Sequence, residues 1–353
     1  MSDTTAERPR SAAQEARIDL SHGSGGRAMR DLVNDVFLSA FANPALAALE
    51  DQARIPLADL CVAGDRLAFT TDSYVVDPLF FPGGDIGELA VNGTVNDLAV
   101  SGAVPLYLSC GVILEEGFAL ADLRRIVESM ARAAEAAGVQ IVTGDTKVVP
   151  KGAADKLFIH TSGVGAIPAG VEIAAGRARP GDRILVNGFI GDHGVAILAA
   201  RGDLALQVPI ESDTRPLNGL VRALLDACPQ VHCLRDATRG GLATVLNEFA
   251  ESAGVCMEFE EAAIPVRDEV RGVSEILGLD PLYYANEGVL VAIVPESCAD
   301  RALAAMRAHP AGAQAASIGE VTAEPAGRVV MRSGFGGGRI VDMLIGEQLP
   351  RIC

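Results

Sequence analysis

Hydrophobic and polar positions in the first half of the chain follow two periods, which predict alternating helices and strands. Apolar residues recur at helical spacing in residues 26–41, 85–102 and 120–138. Runs rich in β-branched and aromatic residues predict strands at residues 65–76, 105–114, 139–149 and 156–167, with the third running into a loop. This half therefore has the pattern of an α/β domain.

The second half repeats the same style of pattern without repeating the sequence. It predicts strands at residues 181–188, 255–260 and 287–294, and helices at residues 191–201, 239–254 and 297–309, with Asp192 as a possible N-cap. Proline and glycine cluster in residues 166–182, where the periodicity lapses. We therefore expect an N-terminal domain at 18–167, a C-terminal α/β domain at 168–340, a polar leader at 1–17 and a mobile tail at 341–353. A cleft between the two domains is the expected place for a ligand.

Composition limits the possible partners. The 353 residues are 49% hydrophobic, and the net charge of −17 argues against binding to nucleic acid or an acidic membrane. The uncharged stretch 98–114 is shorter than the roughly 20 residues that span a bilayer, and Pro105 interrupts it. The leader has no hydrophobic segment typical of a signal peptide. The seven cysteines show no disulfide-like spacing, so we expect reduced thiols in a cytosolic protein.

A glycine-rich loop before the first helix could hold an anion. The stretch HGSGGR, residues 22–27, contains His22, Gly23, Gly25 and Gly26, but it matches neither a Walker A motif nor the dinucleotide-binding fingerprint. Consecutive glycine amides ahead of a helix can still cradle phosphate oxygens. A flexible turn explains the same residues about equally well.

Three aspartates stand at the ends of apolar elements: Asp72 in TTDS, Asp97 in VND and Asp145 in TGDTK. Carboxylates beside a buried element are costly to hold together unless a cation joins them, and Mg²⁺ with a polyphosphate does so. Capping or turn formation is the alternative for any one of them. The three together favour a metal.

Other polar residues are set among apolar or glycine-rich neighbours. Lys147 follows Asp145 in the same predicted loop, and Glu287 lies in YANEG directly before a buried strand. Each could be an ordinary surface charge or a buried group with a shifted pKa. Asp236 in RDATRGG precedes a helix, an arrangement suited to phosphate or metal.

The final residue, Cys353, raises a separate possibility. A cysteine at a chain end could be accidental, because termini tolerate change, or it could be a substrate carried on a tether. From Ile345 to Cys353 an extended tail would reach about 26 to 29 Å. The tail could then serve both a partner outside and a cleft inside.

Taken in order, the motifs HGSGG, TTDSYVVDPLFFPGGDIG, VNDLAVSGA, LSCGVILEEG, VTGDTKVV, GDHG, RDATRGG, ANEG and the final PRIC resemble the HypE family of hydrogenase maturation proteins. The resemblance runs from about residue 20 to residue 353. It implies membership of the superfamily of aminoimidazole ribonucleotide (AIR) synthetase and selenophosphate synthetase. This in turn implies a two-domain α/β (α+β) PurM-like fold, a homodimer formed through the N-terminal domains, and a site for Mg²⁺ and ATP.

The resemblance also implies a reaction. A partner, HypF, would load a carbamoyl group onto Cys353, and the chain would use ATP to dehydrate it to a thiocyanate, passed to a HypC–HypD complex as cyanide for the hydrogenase iron. By family analogy and motif position, Asp72, Asp97 and Asp145 are assigned to Mg²⁺ and phosphate, Glu287 to proton removal, and Lys147 either to polarising the amide or to assisting proton transfer. The remaining nucleotide-binding residues implied are His22, Gly23, Gly25, Gly26, Asn96, Thr143, Gly144 and Asp236.

Two alternatives remain open. The chain could be an enzyme of the same superfamily that acts on a free small molecule, which would leave PRIC unexplained. It could also be a non-enzymatic scaffold for maturation partners, which would leave the three aspartates unexplained.

Overall fold

The structure is a computed structural model that describes residues 16–202, 208–346, 349 and 351–353. Most of the predicted leader, residues 1–15, lies outside the described residues. Among the described residues, no helix combines the length and the apolar character needed to cross a membrane.

The N-terminal domain is a four-stranded sheet with strand order β1-β6-β4-β5, covered on one face by helices. Its strands are β1 (Arg66–Tyr74), β2 (Phe80–Phe81), β3 (Gly84–Asp85), β4 (Val104–Glu115), β5 (Gln140–Val149) and β6 (Leu157–Ile167), of which β2 and β3 form a separate hairpin. Its helices are α1 (Arg27–Leu32), α2 (Ser39–Phe41), α3 (Pro44–Ala47), α4 (Leu57–Ala63), α5 (Ile86–Val100) and α6 (Leu120–Ala137). A π-helical segment, Val33–Leu38, joins α1 to α2.

Helices α5 and α6 bury the inner face of this sheet in different ways. Helix α6 is amphipathic and buries residues at three- and four-residue spacing, such as Leu123, Ile126 and Met130. Helix α5 is buried almost all round, including its polar residues Asn92 and Asn96. Gly93 lies inside α5 because a Cβ there would clash with the Tyr74 hydroxyl.

The described residues leave part of the outer face of the same sheet uncovered. Leu67 and Phe69 on β1 and Ile113 on β4 are 63%, 67% and 42% exposed. Register places these residues on one face with Asp145 and Lys147 of β5, since Gly111 pairs with Asp145 and Ile113 with Lys147. We call this surface the outer sheet face.

The C-terminal domain is a seven-stranded sheet with strand order β13-β12-β9-β11-β7-β10-β8. Its strands are β7 (Arg183–Val186), β8 (Cys233–Asp236), β9 (Cys256–Glu260), β10 (Leu290–Val294), β11 (Ala316–Thr322), β12 (Arg328–Arg332) and β13 (Gly338–Ile340). Its helices are α7 (Asp192–Arg201), α8 (Asn218–Ala227), α9 (Gly241–Ala253), α10 (Asp268–Leu277) and α11 (Glu296–Ala308). The two domains meet where α5 packs against α8, and Ala99 belongs to the same buried cluster as Leu217 and Leu220.

The end of the chain lies against the N-terminal domain. The Val75 N–H donates to the Cys353 main-chain oxygen (3.0 Å) and the Asp77 N–H to the Arg351 oxygen (3.3 Å), so residues 351–353 run antiparallel to the segment that follows β1. Ile352 is 5% exposed and belongs to the hydrophobic core of the N-terminal domain. We call residues 351–353 in this position the docked tail.

Three local predictions were wrong. Asp145 and Lys147 do not lie in a loop, because β5 continues to Val149. The N-cap of α7 is Gly191, and Asp192 is the first helical residue. Cys228 and Cys298 form a disulfide although their spacing gave no sign of one, since the fold brings together residues that are 70 apart in sequence.

Candidate functional site

Four carboxylates from separate elements gather where the two domains meet. Asp72 lies on the inner face of β1, Asp97 on α5, Asp236 at the end of β8, and Glu287 in the turn before β10. The Thr70 hydroxyl donates to Asp97 (2.9 Å), which ties α5 to β1. We call Asp72, Asp97, Asp236 and Glu287 the acidic cluster.

Burial and the charges of neighbouring carboxylates raise the pKa values of Asp97, Asp236 and Glu287. Burial, followed by the charges of Asp97 and Asp72, raises the pKa of Asp236 to about 7. Burial also raises the pKa of Asp97, with Asp72 adding to the effect, while the nearby Arg239 lowers it. Carboxylates this close together are stabilised when some of them are protonated or when a cation binds between them.

Glu287 is the most perturbed member. It is 3% exposed, and its Oε1 has no hydrogen-bond partner among the described residues. Burial, followed by the charges of Asp213, Asp236 and Asp72, raises its pKa well above the ordinary value. An unpaired buried carboxyl group is costly to keep, and its presence points to a function.

Side chains of Asp213 and Asn96 bind main-chain groups of the turn that carries Glu287. The Asp213 carboxylate accepts from the N–H groups of Glu287 and Gly288, both at 3.0 Å. The Asn96 side chain donates to the Glu287 main-chain oxygen at 3.4 Å and accepts from Leu217 N–H at 2.7 Å. Asn96 therefore positions the turn from α5, while the Glu287 side chain keeps its oxygen for another partner.

A second group of predicted residues lies at the β5 edge of the sheet. Lys147 and Asp145 form an exposed ion pair at 2.6 Å, and Thr143 and Gly144 precede them on the same strand. The turn Leu20–Gly23 packs on β5, and a Cβ at Gly23 would clash with Val148. His22 contacts Asp19 through Nδ1 at 3.0 Å, while Gly25 and Gly26 lead into α1.

A single chain does not bring the three predicted metal ligands together. Asp72 pairs in register with Thr161, which is buried on the inner side, whereas Asp145 belongs to the outer sheet face. The order β1-β6-β4-β5 also separates the two strands by roughly 14 Å. In place of Asp145, the structure puts Asp236 and Glu287 beside Asp72 and Asp97. The described residues contain no preformed group of three metal-ligating side chains.

The docked tail lines a cavity of about 520 Å³ next to the acidic cluster. Cys353 and Arg239 both line this cavity. The positive charge of Arg239 acts to lower the pKa values of Asp97 and Glu287, so Arg239 lies close enough to interact with both. Cys353 lies beside Val75, three residues along the chain from Asp72, which corresponds to roughly 10 Å of strand. Arg239 thus connects the cysteine cavity with the acidic cluster.

Sequence reasoning missed the supports of this site. Asp213 lies outside every predicted element, and only the fold shows that it holds the Glu287 turn. His193 donates to the Ile352 oxygen of the tail at 2.8 Å, and the GDHG motif was the sequence signal that could have pointed to it.

Comparison with known proteins gives the class of protein first. The model of the AIR synthase related protein, N-terminal domain, matches residues 50–167, and the model of the C-terminal domain matches residues 179–332. The fold is therefore that of a two-domain AIR synthase-related protein, as predicted.

Individual relatives narrow the class. A carbamoyl dehydratase HypE of Rhodobacter capsulatus is 62% identical over 97% of this chain and 100% of its own length. A crystal structure of the hydrogenase maturation protein HypE in complex with ATP aligns with a TM-score of 0.90 and 52% identity, covering 95% of this chain and 99% of that one. A HypE–HypF complex aligns with a TM-score of 0.77 and 45% identity, covering 89% and 99%. The chain belongs to the HypE family of carbamoyl dehydratases, which confirms the resemblance seen in the sequence.

Proposed function

We propose that this chain acts in hydrogenase maturation by dehydrating an S-carbamoyl group on Cys353 to a thiocyanate at the expense of ATP. The observation that carries the proposal is the docked tail, which places Cys353 in a cavity shared with Arg239, next to the acidic cluster. ATP binding is supported by the similarity to the HypE–ATP complex.

The chemistry requires oxygen to leave and nitrogen to lose two protons. Transfer of the γ-phosphoryl group to the carbamoyl oxygen, with loss of one N–H proton, makes that oxygen part of a phosphate ester. Cleavage of the C–O bond releases phosphate as the nitrogen gives up its second proton, and the S–C≡N group remains. Glu287 in its ionised form is the proposed proton acceptor, because a carboxylate whose pKa is raised is a stronger base than one with an ordinary pKa.

Mg²⁺ fits the acidic cluster by chemistry. The carboxylates of Asp72, Asp97 and Asp236 would supply oxygen ligands. The raised pKa values of Asp97 and Asp236 support this, because ionising such buried carboxyl groups without a cation is unfavourable. A bound Mg²⁺ would neutralise the charge of the triphosphate. Asp145 lies on the outer sheet face, so any role it has in binding phosphate or metal would be exerted there and not within the acidic cluster.

We propose that a homodimer forms through the outer sheet face. The outer sheet face carries the exposed apolar side chains of Leu67, Phe69 and Ile113 beside Asp145 and Lys147. Contiguous exposed apolar residues of this kind mark interaction surfaces. Pairing two such faces would bury them, and Lys147 would then act on the amide from a closed interface instead of from solvent.

Partner proteins must reach Cys353 in turn. A HypF-like carbamoyl donor is supported by the similarity to the HypE–HypF complex, and a HypC–HypD-like cyanide acceptor follows from the proposed product. Because Ile352 is buried in the docked tail, the tail must leave its position for loading and return for dehydration.

Mass measurement of the tail tests the function. Cys353 is carbamoylated with a HypF-type donor, Mg·ATP is added, and the mass of the peptide that carries Cys353 is followed. Loss of one water together with ATP consumption is expected. ATP consumption with an unchanged peptide would indicate an enzyme for a free small molecule, and neither change would indicate a scaffold.

A further inference from the structure

The docked tail is held through its main chain and through the Arg351 side chain, which donates to the Val75 oxygen at 3.0 Å and pairs with Asp155. Besides the bonds from Val75 and Asp77, the Arg201 guanidinium donates to the Arg351 oxygen at 2.8 Å and to the Asp77 oxygen at 2.9 Å. His193 Nε2 lies 2.8 Å from the Ile352 oxygen. These contacts recognise the path of the backbone, while the buried Ile352 side chain fixes the register.

The roles of the two ring nitrogens of His193 follow from their partners. A carbonyl oxygen can only accept, so Nε2 must carry the proton donated to Ile352. Nδ1 is then the acceptor for the Ser212 hydroxyl at 2.7 Å, and the Ser212 oxygen in turn accepts from the Thr214 N–H at 3.1 Å. Burial lowers the pKa of His193 to about 4, which keeps this neutral form at physiological pH.

The same segment reaches the catalytic turn. Ser212 is followed by Asp213, whose carboxylate holds the N–H groups of Glu287 and Gly288. The segment is also fixed to the N-terminal domain, because the Ser212 N–H donates to the Pro82 oxygen at 2.8 Å and Phe81 packs edge-on against the His193 ring. One short stretch therefore contacts the tail through His193 and the Glu287 turn through Asp213.

We infer that His193 is a positioning residue for the dehydration step. Its Nε2–H binds the Ile352 carbonyl, and Ser212 and Asp213 fix the position of His193 relative to the Glu287 turn. The inference rests on the proposed function, since it assigns the residue that presents the loaded cysteine to the base. His193 touches neither the reacting atoms nor ATP in this assignment. Its loss should weaken the presentation of the tail while nucleotide binding continues.

Two substitutions separate this role from a general packing role. His193→Gln keeps an N–H donor near the position of Nε2, whereas His193→Asn is too short to reach Ile352 but keeps an acceptor for Ser212. One hydrogen bond corresponds to a factor of about three to ten. With Cys353 carbamoylated beforehand and Mg·ATP saturating, we expect His193→Asn to slow single-turnover dehydration by that factor and His193→Gln to restore most of the rate.

A second readout needs no catalysis. With unmodified Cys353, alkylation by iodoacetamide reports how often the tail leaves its dock. His193→Asn should raise the alkylation rate by about three- to tenfold, and His309→Asn, a matched change in the C-terminal domain away from the tail, should leave the rate at its wild-type value. The affinity for ATP should remain unchanged in both variants.

Unchanged dehydration and unchanged alkylation in His193→Asn would overturn the inference, and so would an equal loss in the Asn and Gln variants. Failure of the wild-type protein to dehydrate its own carbamoylated cysteine would instead remove the proposed function. In that case the alkylation rates would still decide whether His193 holds the tail.

Discussion

At the scale of single residues, Glu287 differs from an ordinary surface glutamate in its surroundings. The sequence left both interpretations open, because YANEG precedes a buried strand but does not itself show whether the Glu287 side chain is buried. In the fold its side chain is buried, one oxygen is unpaired among the described residues, and three other carboxylates raise its pKa. Substitution with glutamine keeps the shape and removes the basicity.

Glu287→Gln should therefore abolish dehydration of the carbamoylated tail while ATP binding persists. Removal of a general base costs roughly 100- to 10,000-fold in rate. Single-turnover mass measurements with a parallel ATP-binding titration check this expectation. Full dehydration activity in the variant would exclude Glu287 from the mechanism.

The same substitution has a pH-dependent effect on stability. Above the ordinary pKa of 4.5, Glu287 ionises in the unfolded chain but stays protonated in the folded chain until pH passes its raised pKa. Its contribution to stability is therefore complete at low pH and is lost as pH rises through that window. Glutamine cannot ionise, so the melting temperature of Glu287→Gln should exceed that of wild type near pH 7 and match it near pH 4. The exposed Glu128→Gln serves as the control; a pH-independent difference would contradict the expectation.

At the scale of elements, the buried Ile352 side chain adds to the hydrogen bonds that hold the docked tail. Burying an isoleucine is worth about 1.5 to 3 kcal/mol, which corresponds to roughly a ten- to hundredfold shift in the docking equilibrium. Ile352→Ser should expose Cys353 to alkylation by that order. Ile345→Ser is the matched control, because Ile345 is 97% exposed. Equal alkylation of both variants would mean that the tail is not held by this side chain.

Elements also show which predictions were easy from sequence and which were not. Helix α6 and strands β1, β4 and β6 were predicted within a few residues, because their periodicity matches a structure with one clear buried face. The strand predicted at 139–149 matches β5, but it was expected to run into a loop, because TGDTK is polar on a strand whose outer side faces solvent. Helices α8 and α10 and strands β11 to β13 were not predicted, and β13 is exposed throughout its length.

At the scale of the whole molecule, a substitution on the outer sheet face tests whether the protein forms the proposed homodimer. A charge at the exposed Phe69 should prevent two such faces from meeting, so Phe69→Asp should shift the mass in solution from dimer to monomer and lower dehydration if Lys147 acts at a closed interface. Phe335→Asp is the control, since Phe335 is fully exposed in the C-terminal domain. Light scattering after gel filtration measures the mass, and an unchanged dimer would place the interface elsewhere.

The sequence alone determined the class of fold and the family, and it singled out Cys353 as the candidate carrier and most of the candidate polar residues. It could do so because local periodicity and ordered motifs are properties of neighbours along the chain. Only the tertiary structure decided which candidates meet. It placed Asp72, Asp97, Asp236 and Glu287 together and put Asp145 on the other side of the sheet, and it brought His193 to the tail. These relations depend on strand order, on the face of each strand and on the contact between domains, so residues far apart in sequence acquire shared chemistry only when the chain is folded.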